Sequence, residues 1–149
     1  MFLHYSLWLL FIGVQLVFGV LIYLQSGSEL VAFALIKEYF PAIAQWAFNA
    51  ANQLPTLYQK GWIANHLPDI LWSSACASLL VGIWVNQLSL SKLLPLGMAC
   101  AIFYETLQFF GVTNGTYDHF DLLYSLLAGV LSTLITYLLL QEAAARRRR

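Results

Sequence analysis

The sequence predicts an all-α integral membrane protein: four transmembrane helices, plus an interfacial or re-entrant helical segment between the first and second spans. Three observations carry that expectation. Of 149 residues, 60% are hydrophobic and only 9% are charged, whereas soluble domains run at roughly 45–50% apolar and about 25% charged. A soluble globule of this size could neither bury so much apolar surface nor stay dispersed, and a disordered chain needs low hydrophobicity. Four apolar runs each approach about 20 residues, the length that crosses a bilayer. The charge is also lopsided. It sums to zero, but four of the seven Lys and Arg are the terminal Arg146, Arg147, Arg148 and Arg149. That run leaves no basic face for nucleic acid and reads as a topology signal.

Residues 2–24, FLHYSLWLLFIGVQLVFGVLIYL, form the first span. They lack the basic n-region, short apolar core and small-residue cleavage site of a signal peptide, so a retained helix is expected. Residues 29–54 are apolar and helix-prone, but Lys37 and Glu38 interrupt them and Pro41 follows. Charges near a bilayer midplane are costly, and a mid-helix proline removes a hydrogen bond. Two short helices in the interface or dipping partway in are expected there, with Trp46 as an anchor; a kinked fifth span is the alternative. Residues 68–85 make the second span, with Pro68 suited to its first turn and Asp69 favourable at that end of the helix dipole. The loop 86–92 leads to the third span, 93–112. An Asn114-Gly115 turn then joins it to the fourth, 119–140, and to the basic tail 141–149. With the arginines inside, the 86–92 loop is also inside and the 113–118 turn outside. Four spans then put the N-terminus inside and residues 25–67 outside.

Three spans carry a polar or small stripe at helical spacing: Asp69, Ser73, Cys76; Gly97, Ala101, Glu105, Gln108; and Asp121, Ser125, Ala128, Ser132. Such stripes let helices approach closely and turn away from lipid, so they should face one another. By this topology Asp69, Gln108 and Asp121 lie at the outer end, with Glu105 about 10 Å below the end of its own helix. Asn65, His66, Asp118 and His119 would ring the mouth. Asp69 reads equally as an acidic first-turn residue, Asp118 as a helix cap, His119 as an exposed interfacial residue and His66 as loop polarity. Glu105 is different, because an intramembrane carboxyl is a functional-site candidate by default. A hydrogen bond to Gln108 or a neighbouring helix is its structural alternative.

Other signals are weaker. Cys76 and Cys100 sit in apolar runs and read as small packing residues. Asn114-Gly115-Thr116 matches a glycosylation sequon but is equally a turn. Trp8, Trp62, Trp72 and Trp84 lie near span ends, where an interfacial belt is expected. There is no Gly-rich phosphate loop, GxSxG or HExxH.

From Glu105 the chain reads ETLQFFGVTNGTYDHFDLLYSLLAG. This stretch resembles the VanZ-like family of small bacterial integral membrane proteins. The family signature has a Glu and a Gln three later, then Arg-x-x-Asp-x-x-Asp opening the final helix, then Asn and Gly. Glu105, Gln108, Asp118 and Asp121 match it; the Arg falls at Gly115, the Asn at Ser125 and the Gly at Ala128. Upstream, Asn65-His66-Leu67-Pro68-Asp69 stands where family members carry a polar, His-containing stretch. The likeness covers roughly residues 65–135. It implies a bacterial plasma (inner) membrane location and an association with resistance to the glycopeptide teicoplanin.

Three functions compete. The first is binding of an envelope lipid, a lipid-linked precursor or a glycopeptide-type antibiotic at an outward-facing polar cleft formed by Asn65, His66, Asp69, Tyr104, Glu105, Gln108, Asp118, Asp121 and Ser125. The second is an intramembrane hydrolase or transferase, with Glu105 as candidate general acid or base and His66, Asp118 and Asp121 holding Mg2+ or Zn2+. The third is a structural subunit whose stripes are packing seams, completed by a membrane protein partner. Membrane lipids are the expected surroundings in all three, and no resident cofactor or metal ligand is assigned from the sequence.

Overall fold

A computed structural model describes residues 2–26, 31–56, 61–112 and 117–145. The Asn114-Gly115 turn and the arginine run 146–149 lie outside them. The described residues form six helices and no strand: α1 (Phe2–Ser26), α2 (Val31–Tyr39), α3 (Pro41–Gln53), α4 (Trp62–Trp84), α5 (Leu90–Phe109) and α6 (His119–Ala145). Four are long and apolar enough to cross a membrane, over Tyr5–Ser26, Asn65–Trp84, Leu90–Phe109 and His119–Gln141. This is a multi-pass membrane architecture, as the composition predicts.

Side-chain contacts fix the directions of the four long helices. Tyr23, late in α1, hydrogen-bonds Asp69 early in α4 (3.0 Å), while Trp8, early in α1, donates to the Ser78 carbonyl (3.2 Å). These two helices are therefore antiparallel. The Ser74–Ser132 (2.6 Å) and Thr136–Ser78 (3.1 Å) bonds run α4 and α6 parallel. Ser73 donates to the Ala101 carbonyl (3.2 Å), and Gly97 lies against Gly129 and Thr133, so α5 runs against both. Hence the end of α1, the start of α4, the end of α5 and the start of α6 all meet at one end of the bundle.

Since α1 ends where α4 begins, the intervening segment does not carry the chain across, and the fifth span is excluded. Helices α2 and α3, about 14 and 20 Å long, also fall short of a hydrocarbon core of about 30 Å. Pro41 supplies the break: it is the first residue of α3, where its missing N–H is harmless. The Gln25 amide ties the end of α1 to the Ala51 (3.0 Å) and Pro55 (3.2 Å) carbonyls at the end of α3. Trp46 is 71% exposed, as an interfacial anchor would be.

The bundle packs in the manner of helices that share a nonpolar solvent. Phe11, Val14 and Phe18 on α1 and Leu127, Leu131 and Ile135 on α6 point outward, while Ser73, Ser78, Ser132, Thr133 and Thr136 are buried. Large apolar side chains gain nothing by leaving lipid, so small residues and interhelical hydrogen bonds hold the seam. Removing one such bond by Ser78→Ala is expected to destabilise the bundle by about 0.6 kcal/mol, measured by reversible unfolding in detergent. At the end opposite Asp69 the interior is apolar, built from Val81, Val85, Leu93 and Leu140 with Tyr5, Trp8 and Tyr137 around them.

Three expectations need correction. Pro68 is not in a first turn: α4 starts at Trp62 and runs through it. The extra turns are held against α6, where the Trp62 and His66 rings both pack on Tyr124 (5.4 and 5.3 Å). Membrane helices also tolerate proline inside them. Asn65 and His66 are therefore helical rather than loop residues, and Asp69 sits about 10 Å into its helix. Helix α5 covers Leu90–Phe109, not 93–112. It is stopped by Gly111 at φ +67°, with Val112 N–H bonded to Leu107 O and Gly111 N–H to Gln108 O (both 2.9 Å). This is a Schellman C-cap, and glycine adopts that backbone without a Cβ penalty. Trp8 and Trp72 are packing residues rather than belt residues, since Trp8 lies over Gly82 and Trp72 against Gly19.

Candidate functional site

At the shared end, four carboxyl groups and an imidazole converge from three helices. Asp118 precedes α6 and caps it: one carboxylate oxygen accepts the Phe120 N–H (2.8 Å), as expected of an aspartate there. Asp121 follows in the first turn and bonds His66 Nδ1 of α4. Potential ligand atoms of His66, Asp118 and Asp121 all lie within 4.8 Å of one another, and so do those of Asp69, Glu105 and Asp121. Asp121 thus belongs to both groups.

Each acid is oriented by a neighbour. The Tyr23 hydroxyl donates to Asp69. With its amide nitrogen turned toward the acid, Gln108 donates to both oxygens of Glu105 (3.2 and 3.3 Å), one helical turn away. His66 packs against the rings of Trp62 (5.7 Å) and Tyr124 (5.3 Å), which also touch each other. Glu105 is only 3% exposed and Ser125 only 1%. The His66–Asp121 contact is the only pairing of a basic with an acidic side chain among the described residues.

From this acidic end a cleft of about 680 Å³ runs along α4 between α1 and α5. Tyr23, Asp69, Tyr104, Glu105 and Ser125 line one end, and Trp72, Leu80, Leu96, Ala99 and Phe103 line the rest. From Asp69 to Leu80 it extends about 16 Å along the helix, roughly half a hydrocarbon core. Cys76 and Cys100 both stand on its wall.

No protein-family model, curated protein or solved structure matches this chain.

Of the residues singled out in the sequence, His66, Asp69, Glu105, Asp118 and Asp121 are brought together. Gln108 joins through Glu105, while Ser125 and Tyr104 line the cleft. Asn65 does not join: it is exposed. His119 also faces outward, edge-on to Tyr117 (4.9 Å). The stripes do face one another, but the α6 seam differs from that expected: Gly129 and Thr133 meet α5, and Ser132 and Thr136 meet α4. Sequence reasoning missed Tyr23, Trp62 and Tyr124. Only Trp62 carried a signal, as the residue four before His66 on the same helical face.

Proposed function

We propose that this chain is a VanZ-like protein of the bacterial plasma membrane that holds an amphiphile at its acidic end: an envelope lipid, a lipid-linked precursor or a glycopeptide-type antibiotic. The observation that carries this reading is the cleft itself. Its carboxyl-lined end suits a polar head and its apolar length suits a chain lying between helices. The spacing of Glu105, Gln108, Asp118 and Asp121 supports the family assignment, and with it a tie to teicoplanin resistance. The arginine run 146–149 supports a cytoplasmic C-terminus, which turns the acidic end outward. Bare carboxylates repel phosphate, so binding requires protonated acids, a bridging divalent cation, or a cationic or hydroxyl-rich head group.

Native mass spectrometry of the detergent-purified protein against a panel of envelope lipids tests the reading. A head-group-specific adduct is expected in the wild type and is expected to be lost in both Glu105→Gln and Asp121→Asn. Adducts that ignore head group, or persist in both variants, would sink it and shift weight to a subunit completed by another membrane protein.

A further inference from the structure

The geometry points to a divalent-cation site centred on Asp121, with His66 and Asp118 completing one side and Asp69 and Glu105 the other. It goes beyond amphiphile binding and stands whether or not the cleft holds a lipid. The donors come from three helices and mix an imidazole nitrogen with carboxylate oxygens, which separates them from a patch of surface acids. Their ligand atoms lie within 4.8 Å of one another in each trio. Ligands around one cation stand roughly 3–4 Å apart, so side-chain adjustment, with the His66–Asp121 bond opened in the first trio, closes either trio on a cation.

A second observation is the state of Glu105. It is 97% buried at the end of the cleft, its carboxylate is aimed into the group, and it has no cationic side chain against it among the described residues. The side chain that hydrogen-bonds it is the neutral amide of Gln108. Three carboxyl groups gathered this closely, with only the imidazole to oppose them, need an added positive charge or protons. The donors a cation would need are also held in place. Tyr23 holds Asp69, the Phe120 N–H holds Asp118, and two aromatic rings fix His66. Such contacts orient first ligands while leaving their lone pairs free. Imidazole with carboxylates suits Zn2+ or Mn2+, and the all-oxygen trio suits Mn2+ as well.

The test is a titration of the EDTA-stripped, detergent-purified full chain with Mn2+, read by loss of the free-ion electron paramagnetic resonance signal, with Zn2+ as competitor. One tightly bound Mn2+ per chain, displaced by Zn2+, is expected. His66→Ala and Asp118→Asn should each weaken it about tenfold or more, while Glu38→Gln on α2 should match the wild type. Asparagine caps as well as aspartate, so Asp118→Asn keeps α6 started even if another variant misfolds. No saturable Mn2+ in the wild type, or equal affinity in Asp118→Asn and Glu38→Gln, would overturn the site. The mass spectra repeated in EDTA separate the two proposals: an amphiphile adduct without a metal site leaves only the lipid reading, and a metal site without an adduct leaves only this one.

Discussion

Glu105→Gln is expected to abolish specific amphiphile retention while leaving the bundle at least as stable as the wild type. The two halves of that expectation have different causes. Glutamine keeps the length and planar end of the side chain but cannot carry negative charge. It would leave the buried position filled and the Ser125 wall undisturbed. It also removes one of three carboxyl groups lying within 4.8 Å of one another, relieving a like-charge contact in a low-dielectric site. A residue kept for packing would behave in the opposite way, losing stability when changed. Adduct intensity and the unfolding midpoint in detergent, read on one preparation, give both signs. Full retention would reduce Glu105 to a packing residue, and loss of retention together with a collapsed midpoint would say the same.

Gly129→Leu is expected to produce the largest loss of stability, about 3 kcal/mol, at the upper end of the overpacking range. A Cβ on Gly129 would stand 2.5 Å from the Ala101 Cβ and 3.1 Å from the Gly97 carbonyl oxygen. That oxygen is backbone and cannot swing aside, so α5 and α6 must part. Once they part, the Thr133 and Ser125 sides of the seam open together and the acids on α5 and α6 lose their common level. Gly13→Leu is the matched control, because a Cβ there meets nothing within 4 Å. It is expected to change stability by no more than about 0.5 kcal/mol. Unfolding of both variants in the same detergent checks the pair.

Much of the fold was legible because each span is a local property. Run length and apolarity mark α1, α5 and α6 within a few residues, and Lys37, Glu38 and Pro41 mark the α2–α3 break. The convergence of Asp69, Glu105 and Asp121 was legible too, because antiparallel helices with short loops put alternate ends together. What escaped depends on contacts between distant residues. The start of α4 looked like Pro68, and only Trp62 and His66 packing on Tyr124 accounts for the earlier turns. Gly111, which stops α5, fell within the expected span because Asn114-Gly115, three residues on, carried the turn signal. Tyr23 gave no warning, since its hydroxyl gains meaning only when α1 lies beside Asp69.

The apolar interior at the far end, from Val81 to Leu140, decides what kind of traffic the bundle can support. Among the described residues the polar groups of the cleft stop short of that floor, an arrangement that suits a blind berth better than a conduit. If the cleft holds a guest as proposed, one that enters at the acidic rim or sideways between α1 and α5 would also leave on that side. On the proposed reading, loading and unloading would then take place within a single leaflet.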